Sequence, residues 1–258
     1  MNRQGFETYI LSNGISIDAE KAKRLSKAGV KGVQVSIEGP EEVHEAVRGR
    51  GSFRASLKGV RHLLEAGMPV TLNTTLSDLN ANRFMELVEL AGAEGVQKLG
   101  FSRLVPSGRG RQLLDRMLSP EKVQELYGMI SSVRTDGLRI VSGDPVYSMV
   151  GAVFDSTGDT PVGGCAAGLS GLTIMPDGTV TPCRRLPVPI GNVRKDSLRE
   201  IWAASEVLNA LRDRSRYKGK CGSCRRWDAC RGCRAIAYAH SQACGEGDFL
   251  AEDPQCFI

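Results

Sequence analysis

All eight cysteines of this 258-residue chain lie in its last 94 residues, and residues 1–164 contain none. That asymmetry divides the chain into a cysteine-free part and a chemically specialised one. Met1-Asn2-Arg3-Gln4-Gly5 is not followed by an apolar export segment, so a reducing, cytoplasmic setting is expected. In such a setting clustered cysteines bind metal more often than they pair as disulfides. The run Cys221-x2-Cys224-x5-Cys230-x2-Cys233 places two pairs within thirteen residues, with Cys165, Cys183, Cys244 and Cys256 around it. Two thiolates spaced by two residues can approach one metal from a tight turn, and a doubled pair is a strong metal signal. Four thiolates suit zinc as well as iron–sulfur, so the count alone leaves a zinc ribbon and a pair of cubane clusters both open.

The cysteine-free part repeats a βα pattern. Strand candidates are Phe6–Leu11, Gly32–Ile37, Val70–Thr74, Lys98–Leu104 and Arg139–Ser142, apolar runs suited to a parallel sheet covered on both faces. Between them Asp18–Ala28, Ser52–Ala66, Asn80–Ala93 and Pro120–Val133 carry apolar residues at helical spacing. Ser52, Asn80 and Ser119 stand where N-caps belong, and Gly29, Gly67 and Gly95 where helices end. Polar groups recur after the first four strands, which is where parallel α/β folds gather a ligand site. Residues 146–164, rich in Gly, Ser, Thr, Asp and Pro, are expected to link a domain at 1–145 to a second at 165–258. A composition of 41% hydrophobic and 24% charged residues excludes a disordered chain, and no apolar run reaches the roughly 18 residues of a membrane span.

Beyond residue 164, Ile174 and Val180 bracket a Pro176-Asp177-Gly178 turn, which predicts a hairpin leading into Cys183. A single amphipathic helix is expected from Ser197 to about Leu211. Residues 183–234 carry 14 basic and 5 acidic side chains, a local charge of +9 against −4 for the remainder. Aromatic residues make up only 5% of the chain, which argues against nucleic acid as a partner. The basic run is instead expected to balance a negative cluster or meet an acidic substrate, with part of it a solvated helix face. His240 is expected to be structural, and His44 and His62 to lie on helix faces.

Gly164-Cys165-Ala166-Ala167-Gly168, Pro176–Cys183, Gly191-Asn192, Ser197–Trp202, Cys221–Arg234 and Asp253–Cys256 together resemble the SPASM domain of radical SAM enzymes. The similarity is nearest to the subgroup with the alternative haem-biosynthesis enzymes and the pyrroloquinoline-quinone maturase. Ser12-Asn13-Gly14, Val35–Gly39, the His44 to Gly51 stretch and Asn73-Thr74-Thr75 resemble that family's partial barrel. The resemblance implies an incomplete parallel (β/α)6 TIM-like barrel followed by a small cysteine-rich domain. It further implies two auxiliary [4Fe–4S] clusters, one on Cys221, Cys224, Cys230 and Cys256 and one on Cys165, Cys183 and Cys233. Cys244 is left as a free thiol. Ser36, Glu38 and Arg48, with Asn73 after them, would face the carboxylate and ribose of S-adenosylmethionine. The substrate implied is a peptide or a tetrapyrrole. The family's Cys-x3-Cys-x2-Cys and Gly-Gly-Glu-Pro motifs do not occur in these residues. The chain is therefore expected to be the C-terminal portion of such an oxidoreductase, binding S-adenosylmethionine productively only when the missing barrel part is supplied in cis or in trans. Competing expectations are a zinc-ribbon interaction module and an electron-transfer subunit of a split enzyme.

Overall fold

A computed structural model describes residues 4–150 and 164–258 of the chain. They form two compact units, Met1–Arg103 with Ser132–Ser142, and Leu104–Ser131 with Gly143–Ile258. Most of the expected linker, residues 151–163, lies outside the described residues.

The first unit is built on a five-stranded sheet, β1 (Tyr9–Ser12), β2 (Gly32–Ser36), β3 (Val70–Leu76), β4 (Lys98–Arg103) and β5 (Arg139–Ser142), in the order of the sequence. Every pairing is parallel. The parallel α/β class expected from the sequence is therefore present. Its helices are α1 (Ala19–Lys27), α2 (Glu41–Arg48), α3 (Ser52–Glu65) and α4 (Phe84–Ala93). Asp18 caps α1 by accepting the Lys21 N–H. Gly29, Gly67 and Gly95 have positive φ, as residues just past a helix end require. The core is made by Val33, Val35, Leu57, Val60, Leu63, Leu72, Phe84, Leu87, Leu99 and Phe101, all buried.

Ser12-Asn13-Gly14 is a local turn: Ser12 Oγ accepts the Gly14 N–H and Asn13 Oδ1 the Ile15 N–H. A Cβ on Gly59 of α3 would lie 2.1 Å from the Gly14 carbonyl oxygen, so two glycines let this helix seat against the first βα loop. Two capping expectations are corrected. Gly51 precedes α3 as its cap, and Ser52 instead donates its hydroxyl to the Gly49 carbonyl. Asn80 makes no capping bond, because its amide is spent between strand ends, as described below.

The second unit contains α5 (Pro120–Ser132), all but its last residue, and a three-stranded antiparallel sheet of β6 (Thr173–Ile174), β7 (Thr179–Thr181) and β8 (Gly191–Asn192). The hairpin turn is as expected, with Asp177 Oδ1 accepting the Thr179 N–H. The helix expected from Ser197 is two, α6 (Leu198–Ala204) and α7 (Glu206–Arg212). Ser205 is extended (φ −63°, ψ 119°) and starts the second by accepting the Leu208 N–H. Two further helices follow, α8 (Gly219–Ser223) and α9 (Arg234–Ala243). The boundary differs from a cut at residue 145. Leu104–Ser131 groups with the cysteine-rich residues because Val105 packs with Leu186, Cys233 and Ile236, and Gln255 donates to the Leu118 carbonyl. No helix among the described residues is long and apolar enough to cross a membrane.

Candidate functional site

In the first unit the polar residues gather at the C-terminal ends of β2 and β3. Ser36 pairs with Asn73, and Asn73 with Gly100, so the three form one rank across β2, β3 and β4. A side chain on Gly100 would come within 2.7 Å of Asn73 Oδ1, and the glycine thus leaves room for the asparagine. Glu38 follows β2 and is 2% exposed. One of its oxygens receives the Arg48 guanidinium through Nε (2.9 Å) and Nη2, and the other accepts the Thr75 N–H at 2.7 Å. The carboxylate is thereby taken up within the protein, and it anchors Arg48 rather than standing open to a diol.

Two residues absent from the expected site complete this cluster. Asn80 donates to the Glu38 and Thr75 carbonyls and accepts the Ser77 N–H, which ties the two strand ends together. His44 is fully buried, and its Nδ1 accepts the Glu38 N–H at 3.1 Å. Burial, aided by the Arg48 charge, lowers its pKa to about 4 and keeps the ring neutral. The signal available for His44 was its place in α2, a helix with Glu41 and Glu42 in its first turn and Arg48 in its last.

In the second unit Cys221, Cys224, Cys230 and Cys256 line one cavity with Lys220, Trp227, Arg231 and Gly232. Among the described residues no three His, Cys, Asp or Glu side chains are gathered closely enough to hold a single metal ion. All four cysteines line the same space. Backbone N–H groups of Arg226 and Gly232 donate to Cys224 Sγ and Cys230 Sγ, and Arg234 Nη2 donates to Cys221 Sγ, each at 3.4 Å. Burial pushes the Cys230 thiol up to about 12, against the opposing Gly232 N–H, and raises Cys256 as well. A bound cation is what would offset such a cost and hold these sulfurs as thiolates.

Local chain geometry explains how Cys256 reaches thiols more than twenty residues upstream. Asp253, 1% exposed, accepts the Cys233 N–H at 2.8 Å on one oxygen and the Gln255 N–H on the other. Arg234 is fully buried, donates to the Phe249 and Ala251 carbonyls and stacks over Tyr217. Arg231 adopts φ 63°, donates to the carbonyls of Cys165 and Asp228, and is 6% exposed. Arg212 bonds the Gly168 and Trp202 carbonyls. These three arginines therefore brace the chain, Arg231 and Arg234 buried and Arg212 half-buried, and the solvated part of the basic run lies elsewhere.

Cys165, Cys183 and Cys233 are not gathered around that cavity. Cys233 lies in an apolar cluster with Leu186 and Ile236, Cys165 packs against another with Leu208 and Trp227, and Cys183 packs against both. Cys244 is exposed at the end of α9.

Residues 1–91 match the model of the radical SAM superfamily, and residues 165–234 that of an iron-sulfur cluster-binding domain, SPASM. The chain is 32% identical to the AdoMet-dependent heme synthase of Nitratidesulfovibrio vulgaris over 98% of its own length and 72% of that protein's. It is 31% identical to the mycofactocin maturase MftC of Mycolicibacterium smegmatis, over 88% of this chain and 58% of that one. Among solved structures, Streptococcus suis SuiB bound to its precursor peptide SuiA superposes with a TM-score of 0.75 at 16% identity, over 99% of this chain and 60% of SuiB.

Proposed function

The chain belongs to the radical SAM family whose members carry a SPASM domain, and from that premise we propose that it is an auxiliary-cluster-bearing portion of an oxidoreductase that modifies a peptide or a tetrapyrrole. The observation that carries this reading is the single cavity lined by Cys221, Cys224, Cys230 and Cys256. Zinc draws its thiolates to about 2.3 Å from one point. A cubane places iron and sulfide between its ligands, and the match of residues 165–234 to an iron-sulfur cluster-binding domain favours it over zinc. Bound there, a [4Fe–4S] cluster supplies a site that takes up and passes on one electron. The chain's own part is to hold the sulfurs through backbone N–H groups and to balance negative charge with Arg234, Arg231 and Lys220.

Cys165, Cys183 and Cys233 would hold a second cluster, the match of residues 165–234 to an iron-sulfur cluster-binding domain supporting the grouping. In the first unit Arg48, fixed by Glu38, and the rank of Ser36 and Asn73 would receive the polar end of S-adenosylmethionine. Since residues 1–164 have no cysteine, the cluster that reduces S-adenosylmethionine would come from outside these 258 residues. The peptide substrate is suggested by SuiB with its precursor peptide and by the PqqA peptide cyclase of Streptomyces rochei, the tetrapyrrole by the heme synthase.

Anaerobic reconstitution tests the reading. A brown protein is expected, and Cys221→Ala, Cys224→Ala, Cys230→Ala or Cys256→Ala should each remove about four irons and leave the rest in place. Cys244→Ala should change iron content little. A colourless protein with stoichiometric zinc would overturn the assignment.

A further inference from the structure

Among the residues that line the four-thiol cavity, Trp227 carries a buried polar atom for which the described protein atoms offer no partner. Trp227 is 8% exposed, lines the cavity beside the thiols, and its indole Nε1 is buried with no hydrogen-bond acceptor among the protein atoms. A buried donor left unsatisfied is costly, and native folds rarely leave one without reason. The ring is held rather than loose: it meets Tyr217 edge to face at 5.3 Å, and the Arg231 guanidinium lies over it. Tyr217 is itself fixed, its hydroxyl donating to the Leu211 carbonyl at 2.8 Å. The Arg226 and Gly232 N–H groups and Arg234 Nη2 already have thiol sulfurs as acceptors. No Asp or Glu side chain lines the space.

Resting on the cluster reading above, we propose that the Trp227 indole N–H donates to a sulfur of the cluster held by Cys221, Cys224, Cys230 and Cys256, and that it sets that cluster's reduction potential. Reduction adds negative charge that resides largely on sulfur. A donor aimed at sulfur therefore stabilises the reduced form more than the oxidised one and raises the potential. Trp227 is a positioning residue in this scheme, and it neither ligates iron nor touches substrate.

The test uses the whole chain, reconstituted anaerobically. Trp227→Phe keeps an aromatic ring against Tyr217 and removes the donor together with part of the ring's bulk. It should load the same iron as the wild type, while the midpoint potential of the four-cysteine cluster, followed by electron paramagnetic resonance during a redox titration, moves to more negative values. The other cluster's midpoint should stay where it was. A fully loaded Trp227→Phe chain with an unmoved midpoint overturns the proposal. A second measurement needs no change at Trp227. In Trp202→Phe chains grown with indole-15N tryptophan, the reduced cluster should show magnetic coupling to the single labelled nitrogen, and its absence in a loaded chain overturns the proposal equally. A wild-type chain that takes up no iron overturns the cluster reading itself, a result distinct from either of these.

Discussion

His44 shows how one buried ring makes stability depend on pH. Its folded pKa, about 4, lies below the ordinary value of 6.5. Between those values the unfolded chain binds a proton that the folded chain refuses. The stability His44 contributes is therefore fully present above about pH 6.5 and is lost as the pH falls toward 4, by on the order of 3 kcal/mol in total. His44→Asn keeps an acceptor for the Glu38 N–H and cannot titrate. Urea unfolding midpoints at pH 7 and pH 5 should differ markedly for the wild type and much less for this variant. The same residue marks a boundary of what sequence can say. Glu38 and Arg48 were legible as a pair of functional type, but nothing in their spacing says that each is the other's partner. That follows from α2 folding back over the end of β2.

At the scale of elements, α3 depends on a contact that no side chain makes. Gly59→Ala would put a methyl group against the Gly14 carbonyl at 2.1 Å, and backbone cannot retreat as a flexible side chain does. A loss of about 3 kcal/mol or more is expected, read as a lowered urea midpoint with unchanged helical circular dichroism at zero denaturant. The five strands were legible because their apolar runs are short and bounded by turn residues, and the positive-φ glycines after α1, α3 and α4 marked the helix ends. The break at Ser205 was not. Apolar residues keep helical spacing across it, and only a serine able to cap distinguishes two helices from one. The thiol cavity was legible in its ligand types, through the paired cysteines and the Asp-Pro-x-Cys motif. Its braces were hidden, since Arg231 and Arg234 look in sequence like any other members of a basic surface run.

For the whole molecule, the sheet edge is the feature that bears on behaviour in solution. Among the described residues β1 pairs only with β2, and Tyr9 and Leu11 are 61% and 56% exposed. Unpaired, apolar edge strands template association. The 258-residue chain is expected to associate with rising concentration, and Leu11→Lys should shift sedimentation profiles toward the monomer. A wild-type chain that stays monomeric across the same range would show that this edge is not the cause. The backbone near Gly164 has a different consequence. The Cys165 N–H donates to the Cys230 carbonyl at 3.0 Å, and the proposed ligand sets give these two cysteines to different clusters. From one sulfur to the other the path runs through covalent bonds interrupted once, by a hydrogen bond. Tunnelling between the two centres would therefore need no relay beyond the ligands themselves, and no intervening aromatic ring.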